Sequence, residues 1–355
     1  MDRIDLFMRT VQPDECALVL SEISRHYLSS FSSSDGALLV LSHKAYLFLD
    51  SRYLEMAQRA KEAGKISPSI EILSAPFHTF LAEKIKENPR LTLLVEDREL
   101  TVSQVENLKK RFPETAFSFL GDRIEKMRVQ KTEEEIEKIR ASQALAEEAY
   151  LYILSRITAG RYEREIAAEL EFYMKKNGAS APSFETICVS GTRSALPHGR
   201  PEGRIEQNSF VTLDFGAVLD GYASDMTRIV CVGRADEEMR RVYETVKEAQ
   251  EAGVLAVKAG VSGKTVDNAA REVIKKAGYG EYFGHATGHG IGLCVHEAPT
   301  FSPKEEEIIP SGAVLSVEPG IYLPGKFGVR IEDLVVVREG KCENLNKSAK
   351  DLIEL

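Results

Sequence analysis

The residues in this chain best suited to chemistry are carboxylates on apolar, strand-like segments. Phe210-Val-Thr-Leu-Asp214-Phe-Gly216 is followed by Asp220-Gly221 and then by Ser224-Asp225-Met226-Thr227. Asp-Gly between two apolar runs predicts a tight two-residue hairpin, because both turn positions favour positive φ. With those residues at the turn, Asp214 faces Thr227 and Asp225 faces Gly216. The two aspartates then become diagonal neighbours on one face, about 7–8 Å apart at the backbone. A second segment repeats the pattern: Val314-Leu-Ser-Val-Glu318-Pro319-Gly320 returns through Gly328-Val-Arg330-Ile-Glu332-Asp333. Glu318 corresponds there to Asp214, and Glu332 to Asp225. Taken singly, each acid reads as a surface residue; the shared spacing argues otherwise. Four converging buried acids need bound cations or neutralising protons, since an unpaired buried carboxylate is strongly unfavourable. Arg330 lies two residues before Glu332 on the same strand face, where it is expected to orient that carboxylate.

Histidines add to the acids. Leu196-Pro197-His198-Gly199 is one motif, and Gly284-His285-Ala-Thr-Gly288-His289-Gly290-Ile-Gly292-Leu-Cys-Val-His296-Glu297 is the other. His285 and His289 have the spacing of a helical zinc motif, but the flanking glycines argue against a helix. Glycines beside a histidine instead let backbone and substrate approach closely. The Gly-x-Gly-x-Gly run lacks the remainder of a phosphate-loop fingerprint. His26, His43 and His78 stand alone and read as surface or packing residues.

The elements that must hold these groups repeat. Thr132 and Glu135 form a capping box that starts a long helix reaching about Ile157. A second helix spans 161–176 and stops at Gly178, a natural helix terminator. Ala159-Gly160, Lys175-Lys176 and Gly178 recur at a constant offset as Ala259-Gly260, Lys275-Lys276 and Gly278. Each copy of helix–helix is followed by one acidic hairpin. An internal duplication, with two α/β halves about a pseudo-twofold axis, follows from that order. Upstream, strands are expected at 37–41, 45–50, 70–73 and 91–95, with helices at 52–63 and 77–86. This is the alternation of a small α/β layer domain. It carries no cluster of ligand-type residues, so a supporting role is expected. The charged segment 125–131 reads as the linker, giving domains at 1–126 and 127–355.

Composition narrows the function. The chain has 355 residues, enough for two cores, with 43% hydrophobic and 28% charged residues. Its net charge is −9 and no cationic run dominates, which argues against a nucleic-acid surface. Five scattered cysteines without a Cys-x-x-Cys pair fit a reducing compartment. The N-terminus lacks the apolar core of a signal peptide, and no apolar run approaches the roughly 20 residues of a membrane span. A cytoplasmic protein with no membrane partner is expected.

With these residues assembled, 132–355 resembles the pita-bread metallopeptidases: Xaa-Pro aminopeptidases, Xaa-Pro dipeptidases and, more distantly, methionine aminopeptidases. Pro197-His198-Gly199, Asp214, Ser224-Asp225-Met226-Thr227-Arg228, Gly288-His289-Gly290-Ile-Gly292, Val295-His296-Glu297, Glu318-Pro319-Gly320 and Arg330-Ile331-Glu332 carry the resemblance in unbroken order. The N-terminal third resembles the creatinase/prolidase-type α/β domain of the proline-specific branch through Asp50-Ser51-Arg52-Tyr53. The match is looser at Phe31-Ser-Ser-Ser34, where relatives tend to have a glycine-containing run. A domain of this size argues against methionine aminopeptidase. The implied fold is α/β (α+β), a small N-terminal domain ahead of a pita-bread creatinase/aminopeptidase domain. The resemblance implies two divalent ions: Asp214 serves one, His289 and Glu318 the other, and Asp225 and Glu332 bridge both. Such a pair clamps a hydroxide and polarises the scissile carbonyl. Four carboxylates and one imidazole suit hard metals, Mn²⁺ first, with Co²⁺ or Zn²⁺ as alternatives. Glu318 is also implied to pass a proton to the leaving amine. The resemblance further implies that His198 and His296 face the substrate and stabilise the tetrahedral intermediate, and that His285 lines the proline pocket. Proline-second peptides are the expected substrates and a homodimer the expected assembly. Between the two specificities an aminopeptidase is favoured, with a dipeptidase as the alternative. A metal-free creatinase-like hydrolase and a non-catalytic binding module share the fold, but the full ligand set speaks against both.

Overall fold

The structure, a computed structural model, describes residues 2–355. The chain divides after Met127 into two compact units. The first holds a six-stranded mixed sheet whose strands run Ile70–Leu73, Ala45–Phe48, Ala37–Val40, Glu15–Val19, Thr92–Val95 and Ala116–Phe119 across the sheet. Glu15–Val19 pairs antiparallel with Ala37–Val40 and parallel with Thr92–Val95. Leu18, Leu39, Phe48 and Leu93 fill one core of this unit. Asp50 caps the helix Ser51–Glu62 by accepting from the Arg52 backbone N–H at 2.8 Å. The segment 125–131, expected as a linker, contains this division; its first part is helical, in the helix Arg123–Val129 whose Ile124 is buried.

The second unit is built twice. Helices Glu133–Leu154 and Glu163–Lys176 precede one sheet, and Glu237–Ala256 and Gly263–Lys276 precede the other. In the first sheet Ser209–Phe215 pairs antiparallel with both Ile187–Ser190 and Met226–Val232; in the second, Val314–Val317 pairs antiparallel with both Gly288–Gly290 and Asp333–Val336. The loops match too: Gly160 N–H donates to Ile205 O at 2.8 Å, and Gly260 N–H to Ile309 O at 3.2 Å. Apolar helix faces cover each sheet. Ile153, Leu170 and Met174 pack on Leu213, Phe215 and Val230, whereas Val257 and Val266 pack on Leu315, Val317 and Val335. Strand Ser209–Phe215 is buried along its whole length, so Ser209, Thr212 and Asp214 are enclosed with its apolar residues.

Candidate metal centre

The first hairpin turns at Asp220 and Gly221, whose φ angles of 49° and 83° are the positive values a two-residue turn demands. Its register places Asp214 opposite Thr227, as the turn residues imply. The ladder breaks at Gly216, where any Cβ would lie 1.9 Å from the Ser224 carbonyl oxygen. Only glycine permits that approach. Beyond the break, the Asp225 backbone N–H donates to the buried Gln143 Oε1 at 3.2 Å. Asp214 and Asp225 therefore come from two edges of one irregular step.

In the second hairpin Val317 pairs with Asp333 and Gly320 with Arg330, so Glu318 and Glu332 stand across from each other in the gap between the two ladders. Neither backbone bonds the other there. Glu318 N–H donates to Thr287 O at 2.7 Å and Glu332 N–H to Thr227 O at 3.2 Å. His289 lies on the neighbouring strand. Its backbone N–H donates to Ser316 Oγ at 3.0 Å, and the Cβ of any residue at Gly288 would sit 1.9 Å from Ser316 O. The His289 Nδ1 to Gly290 O distance of 3.1 Å fits Nδ1–H as donor, leaving Nε2 toward the acids. That Nε2 is 3.1 Å from Glu318 and 3.6 Å from Asp225.

One ligand-type atom from each of Asp225, His289 and Glu332 lies within 4.8 Å of the others. Asp214 Oδ1, Asp225 Oδ1 and Glu332 Oε1 are buried without any hydrogen-bond partner. Orphaned oxygens of Asp225 and Glu332 beside one imidazole, with that of Asp214 in the same cleft, are the environment a hard divalent cation fits. Titration behaviour points the same way. Burial first, then Glu332, Asp214 and Glu318, push Asp225 well above the usual carboxylate range. Burial, Glu318 and Asp214 do the same to Glu332. Burial would raise Glu318 too, but His289 and Arg330 bring it down to about 2. His289, opposed by burial, rises to about 9 through its bond to Glu318. The protein thus answers Glu318 with a bonded imidazole, whereas Asp225 has that imidazole only at 3.6 Å and is pushed up by Glu332.

Arg330 departs from its expected role. It pairs with Asp214 and also donates to Tyr322 Oη at 2.7 Å and Thr227 Oγ1 at 3.1 Å. Glu332 is instead held by Thr227, whose Oγ1 donates to it at 2.8 Å. The strand-face argument fails because Arg330 reaches across to the first hairpin. Tyr322 also escapes the sequence reading. Its signal is the hairpin register, which pairs it with Gly328 and makes Arg330 its diagonal neighbour. His285 Nδ1 is 2.7 Å from Ala286 O and its Nε2 is 3.0 Å from Tyr322 Oη. A neutral imidazole that donates from Nδ1 and accepts the Tyr322 proton satisfies both contacts. Burial, which lowers the His285 pKa, agrees.

These groups line a cleft of about 490 Å³ that also includes His198, His285, His296, Phe184, Glu185 and Arg200. The His296 ring lies 4.3 Å from that of His289. All eight candidate residues of the sequence thus meet in one cavity. His26, His43 and His78 belong to the other unit.

Comparison with known proteins agrees with this geometry. The family model for the creatinase/prolidase N-terminal domain matches residues 2–130, and that for metallopeptidase family M24 matches residues 137–339. An Xaa-Pro dipeptidase of Pyrococcus furiosus is 39% identical over 94% of each chain. Among solved structures, an Xaa-Pro dipeptidase from Bacillus anthracis superposes with a TM-score of 0.92 at 39% identity over 99% of both chains. An X-Pro aminopeptidase from Thermotoga maritima does so with 0.90 at 36% identity, over 98% of this chain and 99% of that one. The fold class and the metallo-exopeptidase chemistry expected from the sequence stand, and the chain belongs to metallopeptidase family M24.

Proposed function

We propose that this protein is an Xaa-Pro dipeptidase that hydrolyses the amide joining an N-terminal residue to a C-terminal proline. The observation that carries the reading is the end-to-end match to proteins of that name at 39% identity. It moves the preference away from the aminopeptidase favoured on sequence alone. Arg200 supports it physically. Of the two arginines lining the cleft, Arg330 is committed to Asp214 and Tyr322, whereas Arg200 is loosely paired with Glu185 at 3.8 Å. A dipeptide's free proline carboxylate needs such a cation; a longer chain does not.

Asp214 would hold one divalent ion, His289 and Glu318 the other, and Asp225 and Glu332 both. Mn²⁺ is the first choice for this oxygen-rich set, ahead of Co²⁺ and Zn²⁺. Bound there, the ions supply Lewis acidity toward the scissile carbonyl and acidify water. The chain's own groups do the rest. His198 and His296 donate to the oxygen that gains charge, and Glu318 carries a proton to the departing proline nitrogen. The X-Pro amide has no N–H, and none of these roles requires one. A homodimer and a cytoplasmic location complete the proposal; no described helix is long and apolar enough to cross a membrane.

The test compares kcat/KM for Xaa-Pro with that for Xaa-Pro-Yaa in metal-loaded enzyme. Preference for the dipeptide is expected. Faster cleavage of the tripeptide would return the assignment to aminopeptidase, the reading that the Thermotoga maritima structure favours by its name.

A further inference from the structure

Behind the histidine loop lies an ion cluster that takes no part in the centre described above. Glu297 opens the strand Glu297–Phe301 and its side chain is 5% exposed. Its Oε1 accepts from Arg128 Nη2 at 2.5 Å and from the Cys294 backbone N–H at 3.0 Å. Its Oε2 is 3.3 Å from the Lys131 ammonium, itself only 3% exposed. Gly292 lies directly beneath, for a Cβ there would come within 2.8 Å of both carboxylate oxygens. Burial alone would raise the Glu297 pKa, yet Lys131 and Arg128 hold it below the usual range. One acid is thus gripped by two cations, one turn of backbone and one glycine.

The residue just before Glu297 is His296. Glu297 is drawn toward Arg128 and Lys131, whereas His296, the bend residue just ahead of the strand, lines the cleft. Both other loop histidines have a ring nitrogen tied down, His285 to Ala286 and Tyr322 and His289 to Gly290. Among the described residues the His296 ring has an edge contact with His289 and no hydrogen bond. Its place in the cleft therefore depends on its backbone, and the backbone is fixed through Glu297.

We propose that Glu297, clamped by Arg128 and Lys131, is the positioning residue that aims His296 at the reacting carbonyl. The inference rests on the substrate-facing role given to His296 above, and the alternative is a clamp that merely anchors the segment around Arg128. A double-mutant cycle separates the two, with kcat, KM and bound metal measured for His296→Ala, Glu297→Gln and the pair. Glu297→Gln is expected to keep its metal and lower kcat by roughly tenfold with little change in KM. In the His296→Ala background the same change is expected to cost less than about twofold, as coupled residues do. Lys131→Met should move kcat in the same direction by less, which keeps the test available if Glu297→Gln folds poorly. An equal loss in both backgrounds, or loss of metal, would overturn the inference. An unchanged kcat in His296→Ala alone would instead remove the role of His296 on which it stands.

Discussion

The two acidic hairpins of the second unit carry matching ligand pairs but set them differently. In the first, a two-residue turn leaves Asp214 opposite Thr227, with Asp225 displaced beyond the break at Gly216. In the second, a longer hairpin puts Glu318 and Glu332 face to face. Each also borrows its support from the other half: Arg330 of the second pairs with Asp214 of the first, and Thr227 of the first donates to Glu332 of the second. Glu318 has the His289 Nε2 at 3.1 Å, whereas Asp225 has it only at 3.6 Å, and both Asp225 and Glu332 keep one carboxylate oxygen without a hydrogen-bond partner. Duplication therefore supplied the acids, and the exchange of partners between halves made them unequal. The ions are needed most where the protein offers least.

The largest test strikes Asp225, which keeps an orphaned oxygen at the centre. Asp225→Asn should abolish turnover and lower the metal content measured by inductively coupled plasma spectrometry, and chelation of the wild type should be reversed by Mn²⁺ or Co²⁺. Full activity in thoroughly dialysed protein without detectable metal would remove the comparison's premise. Next come the histidines outside both hairpins. His198→Ala and His296→Ala should keep metal and lose about 10²–10³-fold in kcat, the cost of one donor to the transition state. Loss of an ion in either variant would mean it ligates.

Exchange between halves is tested by Arg330→Met. Breaking a buried ion pair typically costs about 3–5 kcal/mol, so a clear fall in melting temperature is expected, together with weaker metal binding. An unchanged melting temperature would mean that the cross-half pair contributes nothing.

Titration sharpens the contrast between the acids. Asp225 and Glu332 are raised in the metal-free fold, so their protonated forms favour folding. That contribution is full below their unfolded pKa and is lost as pH rises through the raised values. His289, raised to about 9, acts with the same sign. Glu318, lowered to about 2, loses its contribution only in strong acid. Chelated protein should therefore gain melting temperature as pH falls from about 9 toward 5, while metal affinity weakens because bound protons must be displaced. A melting temperature that falls steadily over that range would contradict this account. The smallest effect belongs to the cleft mouth. Arg200→Met should raise KM for Xaa-Pro by roughly fivefold, about the value of one exposed charge contact, and leave Xaa-Pro-Yaa unchanged.

The centre was legible because its signals are local. An Asp-Gly turn fixes register, and register fixes which side chains meet. Contacts between halves were not legible: spacing along a strand offered Glu332 to Arg330, but packing gave it Asp214. In the first unit the central strand Glu15–Val19 went unread, since its short apolar run carries no periodicity that separates strand from helix. The helix Arg123–Val129 looked like a linker because its charges outnumber its one buried residue.

The two close approaches, Gly216 on Ser224 O and Gly288 on Ser316 O, bear on how this chain can vary. Even alanine would drive a methyl group into a carbonyl oxygen beside an acid or imidazole of the centre. A map of tolerated substitutions should show both positions as restricted as Asp225 or His289, although neither has a side chain with which to do chemistry.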